Sequence, residues 1–308
     1  MIKKLDSLIE QLVSQNPWSN VYGVARSLLA IGTIITLTLT DLNFLFRPSV
    51  GASDVPQCIG VGSYISIFCV LSNNLSLAKW ISVGILLVVV TGWRPRITGL
   101  LHWWISFSFV NSATLIDGGD HVTAVLTLLI IPITLLDDRK WHWKNETSEL
   151  ETFWQKGKAI VATLTHKVIR FQVAVIYLHA SLAKLKAVEW QNGTACYYWF
   201  TDPVFGHPKL LDWLITPIVQ NAYSVSLLTW GVIAFEFILF VLLFSGKKVY
   251  SNFLIMGILF HFGIVLIHGL ASFFFAMTAA LILYLRPLEA PFNKLEIKKK
   301  GILVNTSN

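Results

Sequence analysis

The sequence of 308 residues contains few charged residues. Asp, Glu, Lys and Arg together make up 13% of it, whereas apolar residues make up 55%. In soluble domains roughly a quarter of the residues are charged, so this composition excludes a soluble globular protein and indicates an integral membrane protein. The formal net charge of +7 does not predict a nucleic-acid partner, because the excess Lys and Arg fall where the positive-inside rule places them. We therefore expect a lipid bilayer around the chain and no bound nucleic acid.

Cysteine is also scarce. The three cysteines, Cys58, Cys69 and Cys196, are too few for a disulfide framework and lack the spacing of a zinc site. All three fall in segments predicted to lie on the outer side of the membrane, where a disulfide can persist. We expect Cys58 and Cys69 to be close enough to form one, with three unpaired thiols as the alternative.

Familiar catalytic motifs are absent as well. The sequence has no His-Glu-x-x-His and no Gly-x-Ser-x-Gly pattern, so it gives no support for a known type of protease. A nucleotide-binding motif is missing, and so are the paired broken helices of many transporters, which makes an exporter the less favoured class.

What the sequence does contain is a series of apolar segments long enough to cross a membrane as helices. Eight are predicted, at about 21–40, 75–93, 97–116, 119–136, 158–185, 223–245, 249–269 and 271–286. The predicted fold is thus an all-α bundle of about eight transmembrane helices covering 21–286. Residues 1–20 predict an amphipathic surface helix and a linker, and 287–308 a basic tail. Two long outer loops, 41–74 and 186–222, complete the predicted organisation.

The distribution of basic residues orients this bundle. With eight spans, the basic clusters at the N-terminus, at Arg94 and Arg96, at 139–156, at Lys247 and in the tail all fall on the cytoplasmic side, as the positive-inside rule requires. The apolar run Ile59–Leu71 is too short to cross a membrane, and a ninth span there would place the later clusters outside. We therefore expect both termini to be cytoplasmic.

The segment from Phe171 to Phe200 begins as an apolar helix that nevertheless carries several polar residues. Positions seven apart on a helix lie about 20° from each other, so these residues and the preceding Arg170 form two lines. One line holds Arg170, Tyr177 and Lys184, and the other, on a different face, holds Gln172, His179 and Lys186. Since a helix that is polar on two faces cannot be surrounded by lipid, we expect it to lie inside the bundle or along a cavity.

Several of these side chains have two possible roles. Lys184 is either a lysine whose ammonium reaches the outer headgroups or a partly desolvated amine that acts as a base or nucleophile. His179 is either a packed, hydrogen-bonded histidine or part of a site. His261 and His268 lie seven residues apart, about 10 Å along one helix, which is too far to share a metal ion, so no metal site is predicted.

Arg26 and Glu236 are isolated charges of opposite sign within apolar segments. A lone buried charge is costly, so the pattern favours a direct or water-mediated pair between them. Contact of each with a substrate is the alternative.

Two motifs resemble known families. The pattern Tyr177-x-x-Ala180-x-x-x-Lys184-Leu185 followed by Trp190-x-x-Gly193-x-Ala195 resembles the core motif of the horizontally transferred transmembrane (HTTM) domain, whose superfamily includes vitamin K-dependent gamma-carboxylase. The block Asn16–Ser27, of sequence NPWSNVYGVARS, resembles the SdpB family of the bacterial sporulation-delaying-protein toxin system. The match to the HTTM motif implies that Lys184 occupies the position of the catalytic base. The chain departs from the carboxylases at Ala183, where they have a second lysine.

The resemblance also implies a function. A member of the SdpB family is expected in the bacterial plasma membrane, where it matures a secreted SdpC-like toxin precursor together with a small SdpA-like partner. It would do so either as an enzyme or as a scaffold, with an export or immunity role as a further alternative, and no cofactor is identified. The candidate catalytic residues are Lys184, His179 and Tyr177. The candidate substrate contacts are Arg26, Glu236, Trp190, Gly193, His261 and His268.

Overall fold

A computed structural model describes residues 17–49, 54–145 and 150–292. The surface helix predicted within 1–15 and most of the predicted basic tail, 293–308, lie outside the described residues.

The described chain is an all-α bundle, which confirms the predicted fold class. Its eight long helices are α1 Asn20–Leu39, α2 Leu75–Thr91, α3 Pro95–Ser112, α4 Gly118–Leu135, α5 Phe153–Lys184, α6 Ala222–Val241, α7 Tyr250–His268 and α8 Ala271–Leu285. Six of them are long and apolar enough to cross a membrane. The exceptions are α3 and the 15-residue α8, which at 1.5 Å per residue is only about 22 Å long. The count of eight spans therefore stays a prediction.

Hydrogen bonds between connecting segments mark two opposite ends of the bundle. At one end, the backbone N–H of Asn20 donates to Asn145 Oδ1 at 2.7 Å, and its side chain donates to the Phe292 carbonyl at 2.7 Å. At the other end, the N–H of Thr114 donates to the carbonyl of Leu45 at 2.8 Å. Following the predicted orientation, we call these the inner end and the outer end.

Helix α8 lies at the centre and packs against α1, α4, α5 and α7. Its residues from Ala276 to Leu285 are all buried. Neighbouring helices come close because they present glycine: a Cβ on Gly119 of α4 would lie 2.7 Å from Phe273 Cα, and one on Gly257 of α7 would lie 2.7 Å from Leu281 Cδ1. Small residues of this kind allow close helix packing in membranes. The last helix, rather than α5, therefore forms the core of the bundle.

Helix α5 is enclosed on one face only. Tyr177 is buried, and the Arg170 guanidinium donates to the Tyr250 hydroxyl at 2.7 Å, so the first predicted polar line faces the interior. His179 and Lys186 of the second line are exposed, and Lys186 lies beyond the end of the helix. The helix thus lies along a cavity through Lys184 of the first line, whereas His179 of the second line is not enclosed by the neighbouring helices.

The outer segment between α1 and α2 is built from short helices, Leu42–Leu45, Gly62–Ile65 and Ile67–Val70, and contains no spanning helix among its described residues. It is fixed to the outer half of α3, where the Ser66 and Ser112 hydroxyls lie 2.6 Å apart. A disulfide joins Cys58 to Cys69, with their Cα atoms 5.7 Å apart. Cys196 is a buried free thiol.

Candidate functional site

A cavity of about 500 Å³ opens between α6 and α7 in the outer part of the bundle. Its size is within the range of small-ligand pockets, roughly 300–1,000 Å³. The wall is largely apolar and rich in aromatic rings, contributed by Trp190, Trp199, Phe200, Phe260 and Phe273. The charged and imidazole groups that line it are Lys184, Glu236, His261 and His268. All four were candidate site residues from the sequence, and the structure brings them to one cavity.

The Lys184 ammonium and the Glu236 carboxylate form an ion pair in this cavity. Nζ lies 2.7 Å from both carboxylate oxygens, and the side chains are 21% and 9% exposed, respectively. Nζ also lies 3.5 Å from the carbonyl oxygen of Ala180, one turn back along α5, and 5.3 Å from the centre of the Trp190 ring. The ammonium thus points into the bundle, opposite to the direction expected for a lysine that reaches the outer headgroups.

The predicted pair between Arg26 and Glu236 was wrong. Arg26 Nη1 lies 3.1 Å from His142 Nδ1, and Nη2 donates to Thr98 Oγ1 at 3.0 Å. The physical reason lies in the helix packing: α1 contacts α8 and α2, whereas α6 contacts α5, so the two charges face different neighbours. Arg26 is buried at the inner end and does not line the cavity.

His142, the loop residue that forms a hydrogen bond with Arg26, was not predicted. Burial, with the nearby charges of Arg26 and Arg139, lowers the pKa of His142 to about 2. The imidazole is therefore neutral and its Nδ1 accepts the hydrogen bond from the guanidinium. Its ring occupies space left free by glycine, since a Cβ on Gly92 would lie 2.4 Å from His142 Cδ2. The loop at 136–145 carried no periodic signal from which this contact was predictable.

Tyr177 and His261 form a second polar pair beside the ion pair. The Tyr177 hydroxyl lies 3.0 Å from His261 Nε2, and the two side chains are almost fully buried. Nδ1 of His261 is buried and has no hydrogen-bond partner among the described residues. A buried polar atom without a partner costs about 1–3 kcal/mol, and the imidazole that carries this nitrogen forms part of the cavity wall.

Trp190 and Gly193 begin the segment that covers the outer side of the cavity. Gly193 has φ +79°, in the left-handed region that favours glycine, and a Cβ there would lie 3.0 Å from Ser226 Oγ. Glycine thus lets the segment lie directly on α6. The N–H of Cys196 then donates to Thr229 Oγ1 at 3.2 Å, which fixes the short helix Ala195–Thr201 above the cavity.

The remaining predicted residues have different positions. His268 lines the cavity near its outer side, where Nδ1 donates to the Phe205 carbonyl at 2.6 Å. His179, a predicted catalytic residue, is exposed on the far side of α5 and is not among the residues that line the cavity. Within the described ranges, no three His, Cys, Asp or Glu side chains come together as metal ligands.

Two proteins of Bacillus subtilis (strain 168) are similar to this chain over most of its length. The sporulation-delaying protein SdpB is 40% identical over 292 residues, which cover 94% of this chain and 88% of SdpB. The uncharacterized protein YitO is 40% identical over 293 residues, which cover 94% of this chain and 93% of YitO. No family model and no solved structure matches the sequence, so the relation to the HTTM superfamily stays a prediction.

Proposed function

The chain belongs to the SdpB family, and we propose that it is the membrane subunit of a system that matures a secreted peptide toxin. Its substrate is an SdpC-like precursor and its partner a small SdpA-like protein. It resides in the bacterial plasma membrane with both termini in the cytoplasm and the Lys184 cavity towards the outer side. The 40% identity to SdpB over 94% of the chain supports the family role, and the positions of the basic clusters support the orientation.

The observation that carries an enzymatic role is the ion pair in an apolar cavity. Charges are unfavourable in such surroundings, so transfer of one proton from the Lys184 ammonium to the Glu236 carboxylate removes two charges at once. The products are a neutral amine and a neutral carboxylic acid. The amine is then a base that accepts a proton from the precursor, while Glu236 retains the proton it received. No net charge enters or leaves the cavity when the pair prepares this base.

Tyr177 and His261 hold the neighbouring part of the substrate in this proposal. The Tyr177 hydroxyl fixes the imidazole through Nε2, and the imidazole forms part of the wall against which the precursor packs. Their role is positioning, since neither side chain is among the hydrogen-bond partners of the Lys184 ammonium.

A scaffold that binds the precursor for another protein is the second candidate. It is favoured by the ion pair itself, because an ammonium 2.7 Å from both carboxylate oxygens is well placed to hold a polar group of a ligand without any proton transfer. A scaffold uses the same cavity and the same ion pair. It needs the positive charge of Lys184 to hold the ligand, but it does not need Lys184 to act as a base.

The substitution Lys184→Arg separates the two candidates. Arginine keeps the charge and pairs well with a carboxylate, but it does not release its proton in proteins. Lys186→Arg is the matched control, because Lys186 is exposed two residues further on. For an enzyme, mass spectrometry of the precursor peptide should show no mature product with Lys184→Arg and normal product with Lys186→Arg, at equal protein levels. Full maturation by Lys184→Arg would exclude the lysine base and leave the scaffold.

A further inference from the structure

Helices α6 and α7 follow each other in the chain but pack against different neighbours. Helix α6 packs against α5, and α7 packs against α8. The rings of Phe235 on α6 and Phe260 on α7 meet with their centroids 5.2 Å apart. These residues adjoin Glu236 and His261, so their contact closes the inner end of the cavity. Further out, the cavity separates the two helices.

The sides of this gap are apolar and exposed. Leu228 of α6 and Leu259 of α7 line the cavity and are 39% and 62% exposed. Exposed apolar side chains on the spanning helices of a membrane bundle face lipid. The outer side is covered by Trp199 and Phe200, and the bond from His268 to the segment at Phe205 holds this cover in place. The open side of the cavity therefore faces the hydrocarbon of the bilayer.

Three of the four polar lining groups, Lys184, Glu236 and His261, lie at the inner floor of the cavity. On α6 the lining runs from Leu228 to Glu236, a rise of about 12 Å. An alkyl chain that filled this space would offer no donor or acceptor to the Lys184–Glu236 pair. A peptide segment that is not helical has the opposite requirement, because its free N–H and C=O groups must find partners and are tolerated at membrane depth only inside protein. The Glu236 carboxylate is an acceptor for such N–H groups, and the Lys184 ammonium is a donor for such C=O groups.

We propose that a non-helical apolar segment of the peptide precursor enters this cavity sideways from the bilayer, between α6 and α7. The identity of the ligand rests on the proposed function, whereas the lateral route rests on the gap alone. The two are tested by different measurements below.

The rate at which Cys196 is labelled measures the route by which a reagent reaches the cavity. The chain has three cysteines and two form the disulfide, which leaves Cys196 as its single free thiol, and it lines the cavity. The protein in liposomes is labelled either with N-cyclohexylmaleimide, which partitions into the bilayer, or with a charged, membrane-impermeant maleimide. Burial raises the pKa of the Cys196 thiol, so labelling is carried out at alkaline pH. Cys196→Ser gives the background.

A lateral opening predicts that the apolar reagent labels Cys196 faster by about tenfold or more, because it concentrates in the bilayer. Equal rates would mean that the cavity opens to water and would overturn the route. Gly263→Phe provides a second measurement: Gly263 lines the cavity, and a Cβ there meets no atom within 4 Å. Gly231→Phe is the matched control on α6, since Gly231 has the same open surroundings but is not among the lining residues. Labelling by the apolar reagent should slow in Gly263→Phe only, and unchanged labelling there would also overturn the route.

The ligand class is tested by protection of Cys196 from N-cyclohexylmaleimide. The probes are a Leu/Ala peptide with a central Pro-Gly interruption, a peptide of the same composition with Pro-Gly at its end, and hexadecanol. Only the interrupted peptide exposes backbone groups at the depth of the pair, so it alone should protect. Equal protection by the peptide with Pro-Gly at its end or by hexadecanol, or no protection by any probe, would overturn the assignment of a peptide ligand. Because the readout is labelling, these outcomes do not depend on whether the precursor is matured.

Discussion

Removal of one partner of the Lys184–Glu236 pair should destabilise the protein, and the structure sets the magnitude. Loss of one member of a fully buried pair costs about 3–5 kcal/mol, because the other charge stays behind without a partner. Here the Lys184 side chain is 21% exposed and that of Glu236 9%, so solvent screening reduces the cost. For Glu236→Leu we expect a loss of about 2–4 kcal/mol in the free energy of unfolding.

The double variant Lys184→Met with Glu236→Leu should recover most of this loss, since it leaves no uncompensated charge and fills the same space with apolar groups. Both variants and the wild type are unfolded by denaturant in detergent micelles, with circular dichroism as the signal. If Glu236→Leu is as stable as the wild type, the two side chains do not form a buried pair and the proposed proton transfer has no basis.

The pair between Lys247 and Glu289 at the inner end is the matched control. Its atoms are also close, at 2.5 Å, but the Lys247 side chain is 64% exposed. Exposed pairs contribute about 0–1 kcal/mol, so Lys247→Met should change the stability little. A loss as large as that of Glu236→Leu would mean that burial does not determine the cost, and the reasoning would fail.

Two further predictions concern topology and the outer cysteines. Reporter fusions at Asn145 and Asn192 should score as cytoplasmic and external, respectively, because the basic clusters place the inner end in the cytoplasm; the reverse result would contradict the eight-span orientation. Cys58 and Cys69 should react with a membrane-impermeant maleimide only after reduction, as mass spectrometry of their peptides would show, and labelling without reductant would exclude the disulfide in the cell.

The helices were predictable from the sequence because length and apolar composition are local properties. Each of the eight helices coincides with one apolar run, even where the span criteria are not met. The central position of α8 was not predictable, because it depends on glycines that belong to other helices. Gly119 of α4 and Gly257 of α7 make room for Phe273 and Leu281, and a single sequence does not show which glycine faces which helix.

The candidate site was predictable in part for a similar reason. Helical phase placed Tyr177 and Lys184 on one line, and the structure puts that line inside the bundle. Phase gives angles around one helix but not the positions of its neighbours, so His179 was an equally good candidate until the packing of α5 excluded it from the cavity. Charge alone predicted Arg26 as the partner of Glu236, but the contact between α5 and α6 places Lys184 beside it instead.

The two recognisable motifs act at opposite ends of the molecule. In the N-terminal block, the Asn20 side chain forms hydrogen bonds with the backbone N–H and carbonyl of Phe292. The carbonyl of Trp18 accepts a hydrogen bond from Arg139 at 3.0 Å. This block therefore holds the inner connections together and is remote from the cavity. The motif that contains Lys184 instead supplies an ammonium that faces the cavity, and the glycine of that motif lets the outer cover lie against α6. Substitutions in the first block should accordingly act on stability, whereas those in the second should act on the ligand.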